Sequence, residues 1–173
     1  MSTTINTADI IAVKAYGGDN VTAIYGQGGV KIWEAGEPDY SKKYLTFIAL
    51  SNGTFAFEKQ NNNTISYSTD NGKTWSTPSG DVTVNVNAGD KVLWKAQFVS
   101  NSAGSGSFSG STATYDIEGN ILSLIYGDNF RGQTTFRENS GLINMFMNTK
   151  CIDASNLILA PENMTNGSYA QMF

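Results

Sequence analysis

The feature that most restricts the fold of this chain is the alternation of apolar and polar residues in short runs. Turn-forming segments separate the runs, since "SNG", "DNGKT" and "NAGD" are rich in residues that tolerate a positive φ. Alternation with a period of two predicts strands with one buried face. The clearest runs are "YLTFIAL" (44–50), "TFAFE" (54–58), "TISYS" (64–68), "VTVNV" (82–86) and "KVLWKAQFV" (91–99).

The number and spacing of these runs predict the architecture. About seven strands fall between Tyr44 and Tyr126, the last two being "ATYDIEG" and "NILSLIYG". Short strands joined by tight turns at such spacings are typical of two packed antiparallel sheets. The predicted fold class is mainly β, with an antiparallel β-sandwich over residues 37–127.

The N-terminal segment, residues 1–36, contains a short repeat. "AYGGDNV" (15–21) matches "IYGQGGV" (24–30) at a shift of nine residues, and "KIW" follows. Strands this short cannot enclose a core alone, so the segment must pack on the next domain or on a partner. It is predicted to be a β-repeat anchor. The predicted partner-interface residues are Ile10, Val13, Tyr16, Val21, Ile24, Tyr25, Val30, Ile32 and Trp33.

The C-terminal segment, residues 128–173, loses the strand alternation. "INMF" (143–146) recurs as "AQMF" (170–173), a spacing of 27 residues, with "CIDASNLILAPENM" between the two copies. This spacing is typical of leucine-rich repeats, in which an apolar ladder and an Asn or Cys position recur. The segment is predicted to be a leucine-rich-repeat-like remnant packed on the sandwich, or else the start of a longer array.

Composition removes several classes of function. The chain has no histidine, which excludes Ser-His-Asp and Cys-His catalysis and every histidine zinc site. Its single cysteine, Cys151, cannot form an internal disulfide and is predicted to be a small buried side chain. The net charge is −4 without a basic stripe, so no nucleic-acid partner is expected.

No membrane insertion is expected either, because the apolar runs are too short to span a bilayer. The first ten residues lack the charged and apolar regions of an export signal, so Sec export is not expected.

The stretch "SYSTDNGKTWS" at 66–76 fits the pattern Ser-x-Asp-x-Gly-x-x-Trp, with Ser68, Asp70, Gly72 and Trp75 in the key places. It resembles the Asp-box, a hairpin signature known from sialidases. A sialidase propeller needs several such hairpins. Sialidases also bind the substrate carboxylate with three arginines, whereas this chain has only Arg131 and Arg137. The box is therefore interpreted as a fold signature, whose Asp and Gly favour a tight turn and whose Trp packs beneath the hairpin.

No catalytic, cofactor-binding or metal-binding residue is predicted, and the chain is not expected to be an enzyme. "DIEGN" at 116–120 offers oxygen atoms to calcium but lacks the ligand spacing of a calcium loop. Trp75 and Trp94 are predicted to be core residues, and Trp33 is predicted to anchor an interface. The alternative for all three tryptophans is a sugar-binding platform.

Four motifs carry a resemblance over residues 44–173: "YLTFIALSNGTFAFE", "ISYSTDNGKTW", "VNAGDKVLWKA" and "DIEGNILSLIYGDNFRGQ". In this order they resemble a β-domain of Bacteroidetes surface proteins and their phages, where it often precedes leucine-rich repeats of the BspA-like type. The N-terminal motif at 12–33 is similar to short repeats that open many phage virion proteins. Together they resemble head fibre or capsid decoration proteins of crAss-like Bacteroides phages.

The resemblance implies a virion structural protein, assembled in the host cytoplasm, that docks through its N-terminal repeats and projects the sandwich. Its expected partners are capsid or other virion proteins and further copies of itself, as a homodimer or homotrimer. The alternative is a carbohydrate-binding or adhesin module of a bacterial surface protein. The two are compatible, since a head fibre can also bind a host surface glycan.

Overall fold

The structure, a computed structural model, is mainly β, which confirms that part of the predicted fold class. The chain divides into two compact units, Met1–Pro38 and Asp39–Phe173. In the first unit the structure describes the backbone alone. The described residues are 10–15, 21–26, 31–34, 40–60, 63–98, 106–136, 142–159 and 172–173.

The first unit contains an antiparallel three-stranded sheet. Its strands are β1 (Ile10–Ala15), β2 (Val21–Gly26) and β3 (Lys31–Glu34), in the order β1-β2-β3. Val13 pairs with Ile24, and Ile24 pairs with Trp33, so one register row crosses all three strands.

The second unit contains a five-stranded sheet in the order β11-β10-β4-β8-β6. Its neighbouring strands are antiparallel except for β10 and β11, which are parallel. A 3-10 helix at Tyr40–Lys42 leads into it. The strands are β4 (Leu45–Ala49), β6 (Ile65–Ser68), β8 (Lys91–Ala96), β10 (Tyr115–Asn120) and β11 (Cys151–Ile158).

A second, three-stranded sheet completes the strands of this unit. It consists of β7 (Val82–Val86), β5 (Gly53–Lys59) and β9 (Gly106–Ser107), in that order. Val82, Val84 and Val86 are buried while the residues between them are exposed, which matches the predicted alternation.

Aromatic side chains join the two sheets. The ring of Phe47 on β4 lies 5.4 Å from that of Phe55 on β5 and 4.6 Å from that of Phe108. It also stacks on Tyr115 of β10, with the centroids 4.5 Å apart. Trp94 on β8 is completely buried, as predicted, and lies 5.0 Å from Phe108.

One predicted strand is wrong. Within "NILSLIYG" the chain forms a short helix, α1 (Ser123–Tyr126), followed by a 3-10 helix at Gly127–Asn129. Ser123 fixes α1 on the sheet, since its Oγ donates to the Trp94 carbonyl at 3.0 Å and accepts the Leu45 N–H at 3.0 Å. A short run of mostly apolar residues is buried equally well by a helical turn or a strand, so periodicity does not separate the two.

The C-terminal segment contributes to the same unit. β11 extends the five-stranded sheet by pairing with β10, so strands from both sides of residue 128 belong to one sheet within Asp39–Phe173. The two related "MF" pairs also meet. The N–H of Phe146 donates to the carbonyl of Met172 at 2.7 Å, and the rings of Phe146 and Phe173 lie 5.2 Å apart.

Candidate functional site

The Asp-box forms a tight turn whose polar groups satisfy one another. Ser68 Oγ donates to Asp70 Oδ1 at 2.7 Å and accepts the N–H of Gly72 at 2.8 Å. Thr74 donates its N–H to Asp70 Oδ1 at 2.9 Å and its hydroxyl to Oδ2 at 2.7 Å. Asn71 and Gly72 have φ of 59° and 83°, the conformation that the "DNG" pattern predicts.

These hydrogen bonds also set the charge of Asp70. The N–H and hydroxyl of Thr74, followed by the hydroxyl of Ser68, hold the pKa of the Asp70 carboxyl well below its usual range. Both of its oxygens are therefore ionised acceptors that serve the turn.

Trp75 corrects one prediction, because it is half-buried and lies outside the core. Leu45 and Trp94 are register partners, and Trp94 points into the core. Side chains alternate along a strand, so Lys95 lies on the opposite, outer face of the sheet. The ring of Trp75 meets this face, 4.1 Å from Lys95 Nζ and 4.9 Å from the ring of Tyr44.

Trp75 is one member of an outer-face cluster that comprises Tyr44, Trp75, Lys95, Asp128 and Arg131. Lys95 Nζ lies 2.8 Å and 3.0 Å from the two carboxylate oxygens of Asp128. The hydroxyl of Tyr44 donates to Asp128 Oδ1 at 2.8 Å, and the guanidinium of Arg131 lies 5.2 Å from the Tyr44 ring. Cations beside aromatic rings, together with a carboxylate that joins Lys95 to Tyr44, order this surface.

The cluster has a defined charge state. The hydrogen bond from the Lys95 ammonium, and then that from the Tyr44 hydroxyl, lower the pKa of Asp128. Burial, and then the neighbouring Asp128, raise the pKa of Tyr44. Near neutral pH the cluster therefore holds an ionised carboxylate, a protonated phenol and two cations.

A cavity of about 210 Å³ lies beside the cluster and shares Lys95 and Asp128 with it. The other side chains at its wall are polar or small, and the described chain gives those of Thr64 and Gln97 no hydrogen-bond partner. We call this the outer-face cavity. It is lined by Thr64, Ser66, Lys95, Ala96, Gln97, Gly127 and Asp128.

Sequence reasoning missed this cavity. The alternation in "KVLWKAQFV" places Lys95 on the opposite face of the strand from Trp94, so its position on the outer face was predictable from the sequence. Asp128 had no such signal, because it reaches the site only through the helical turn that replaces the predicted strand.

The predicted interface residues of the first unit are distributed over its three strands. Ile10 and Val13 lie on β1, Val21, Ile24 and Tyr25 on β2, and Ile32 and Trp33 on β3. The register brings Val13, Ile24 and Trp33 into one row. Tyr16 and Val30 lie outside the described residues.

The Glu118 carboxylate of the "DIEGN" motif forms ion pairs with two lysines. Glu118 is buried on β10, and its Oε1 lies 3.6 Å from Lys43 Nζ and 3.4 Å from Lys91 Nζ. Among the described residues, no group of three or more His, Cys, Asp or Glu side chains is placed to hold a metal ion.

Cys151 is half-buried and packs against the core. Burial, and then the nearby Asp116 and Asp153, raise the pKa of its thiol to about 11. The thiol is therefore protonated at neutral pH, which makes it a poor nucleophile.

The described part of the chain contains no helix with the length and apolar character needed to cross a bilayer. Comparisons of the chain with family models, curated proteins and solved structures found no match.

Proposed function

We propose that this chain is a phage virion structural protein, a head fibre or capsid decoration, that docks through its N-terminal β-repeat and projects a β-sandwich. The division of the chain into two compact units supports this role. The described part of the first unit consists of three short strands, which are too small to enclose a core. The second unit has its own aromatic core between two sheets.

The anchor in this proposal is the apolar register row of Val13, Ile24 and Trp33, together with the other predicted interface residues. A sheet with apolar residues in every strand is stabilised when a partner covers it. The partner is a capsid or other virion protein, and copies of the chain associate as a homodimer or homotrimer.

The second unit, in the same proposal, is a sandwich closed by a leucine-rich-repeat-like turn. Ring contacts between Phe47 and Phe55 support packing of the two sheets against each other. The parallel β10–β11 pair and the contact of Phe146 with Phe173 support the repeat-like turn, since equivalent residues stack in such repeats.

The test is recruitment to virions. Purified virions should contain the chain, detected by mass spectrometry. A chain that begins at Asp39 should fold cooperatively but fail to co-sediment with the particles. In the full chain, Ile24→Glu should also abolish co-sedimentation, whereas the control Lys14→Glu, in the adjacent register row, should retain it.

Two results would contradict this role. If the shortened chain is recruited as well as the full chain, the anchor lies in the second unit. If the chain is absent from purified virions, it is not a virion structural protein.

A second candidate function is a carbohydrate-binding or adhesin module. The observation that favours it is the outer-face cavity, which places the hydroxyl of Thr64 and the amide of Gln97 at the same wall as Lys95, whose ammonium lies 4.1 Å from the Trp75 ring.

A further inference from the structure

We propose that the outer-face cavity binds one neutral hexose residue of a glycan, with Asp128, Gln97 and the hydroxyls of Thr64 and Ser66 hydrogen-bonded to its hydroxyl groups. This inference deepens the second candidate function and rests on it, whereas it is independent of the virion role. Size, hydrogen-bonding capacity, charge and rigidity of the cavity each support it.

The size of the cavity limits the ligand. Its volume of about 210 Å³ is below the range of roughly 300–1,000 Å³ in which pockets for drug-sized ligands fall. A single sugar ring matches a cavity of this size, and the rest of a glycan would extend into the solvent.

The wall of the cavity offers donors and acceptors side by side. Gln97 has an amide that both donates and accepts, and Thr64 and Ser66 have hydroxyls that do the same. Asp128 accepts and Lys95 donates. A ring that carries several neighbouring hydroxyl groups can satisfy such a mixed wall, whereas an apolar ligand would leave these groups unpaired.

The charge of the wall selects a neutral sugar. The Lys95 ammonium and the Asp128 carboxylate are paired at 2.8 Å, so the charges of the lining residues cancel. A charged sugar would lose its hydration at this wall without meeting an unpaired opposite charge among the lining residues. Arg131 is not part of the lining, because its guanidinium lies against the rings of Tyr44 and Phe130.

Two of the polar groups, those of Lys95 and Ser66, are held in place before a ligand binds. The side chain of Lys95 is only 16% exposed and is fixed between the Trp75 ring and Asp128. Ser66 Oγ is hydrogen-bonded to Thr77 Oγ1 at 2.7 Å across the Asp-box hairpin. Trp75 is therefore a positioning residue for Lys95, and the ordered side chains of Lys95 and Ser66 reduce the entropy that binding would cost.

The experiment is a titration of the full chain, followed by ¹⁵N NMR. The probes are the methyl glycosides of glucose, galactose, mannose and N-acetylglucosamine, with N-acetylneuraminic acid and glucosamine as charged comparators. We expect at least one neutral glycoside to bind with a Kd of about 1 mM, the weak affinity of a single small contact. The amide signals of Gln97 and Gly127 should shift in a saturable manner.

Gln97→Ala should weaken this binding by about tenfold or more, since it removes an amide that pairs with the sugar. Asn85→Ala is the matched control, because Asn85 is an exposed carboxamide on β7 that does not line the outer-face cavity. It should bind like the parent protein.

Three results would overturn the proposal: no saturable shift with any neutral glycoside, unchanged affinity in Gln97→Ala, or tighter binding of a charged comparator. Co-precipitation of the protein with capsular polysaccharide of the host bacterium tests the second candidate function separately from the assignment of the cavity. If Gln97→Ala still co-precipitates like the parent, the second candidate function stands and the cavity assignment is wrong. If the parent neither binds a glycoside nor co-precipitates, both are wrong.

Discussion

The carbonyl oxygen of Tyr44 occupies the space that a Cβ atom on Gly119 would need. Gly119 has a φ of +94° in β10, and its neighbour Asn120 bridges to Tyr44 at the start of β4. The two strands can approach each other at this point only because residue 119 has no side chain.

Gly119→Ala should therefore prevent folding, or lower the free energy of unfolding by far more than the cost of placing an alanine in the left-handed backbone conformation. Gly89→Ala is the matched control, because Gly89 has the same φ of +94° and a Cβ added there would meet no atom within 4 Å beyond its chain neighbours. That control should cost about 1–2 kcal/mol, the penalty of a left-handed conformation. Urea unfolding monitored by circular dichroism measures both variants, and equal unfolding midpoints would contradict the steric explanation.

Trp94→Ala should lower the free energy of unfolding by about 3–5 kcal/mol, because it leaves a cavity among packed rings. Trp94 is completely buried, and its ring lies 5.6 Å from Phe47 and 5.0 Å from Phe108. Trp75→Ala is the control and should cost clearly less, since Trp75 is half-buried on the outer face. Denaturant unfolding compares the two. Equal losses would show that Trp94 contributes no more packing than a surface ring.

Asp70 should stabilise the hairpin at neutral pH, and this stabilisation should be lost in acid. Folding lowers the pKa of Asp70, so the folded state favours the ionised carboxylate. This stabilisation is complete above the ordinary pKa of 3.8 and is lost as the pH falls through the lower folded value.

Asp70→Asn should therefore destabilise the protein at pH 7, and the difference from the parent in the free energy of unfolding should shrink as the pH falls below 3.8. Urea unfolding of both proteins at neutral and acid pH measures this difference. A difference that does not change with pH would mean that the charge of Asp70 is irrelevant to the turn.

Met172→Ala should cost about 2–5 kcal/mol, as expected for a buried methionine. Met172 is only 4% exposed and belongs to the core, whereas the adjacent Phe173 is 58% exposed. Phe173→Ala should accordingly have the smaller effect, although it removes the larger side chain. Thermal unfolding of the two variants measures the comparison, and the reverse order would place Phe173 in the core.

Local patterns were sufficient to predict part of this structure. The alternation of β7, with three buried valines and two exposed residues between them, is visible in "VTVNV". The turn of the Asp-box was also predictable, since Asn71 and Gly72 are residues that accept a positive φ. In both cases residues that are close in sequence determine the structure.

Features that depend on distant residues were not predictable. Whether "SLIY" forms a strand or a helical turn depends on Ser123, which bonds to the backbones of Trp94 and Leu45 in two other strands. Trp75, like Trp94, was predicted to be a core residue at a strand position. Its position on the outer face depends on the register of β4 and β8, which no local pattern encodes.

The strand order also has a consequence for how the chain folds. β4 ends at Ala49, but β10, one of its two neighbours in the sheet, begins only at Tyr115. β11, the strand on the other side of β10, ends at Ile158. During synthesis on a ribosome, β4 would be made long before this side of its sheet exists. Because these strand pairings join residues that are far apart in sequence, folding falls in the slow regime of β proteins, about milliseconds to seconds. The nascent chain would expose Leu45 and Phe47, which are buried in the folded unit, until nearly the whole unit had emerged.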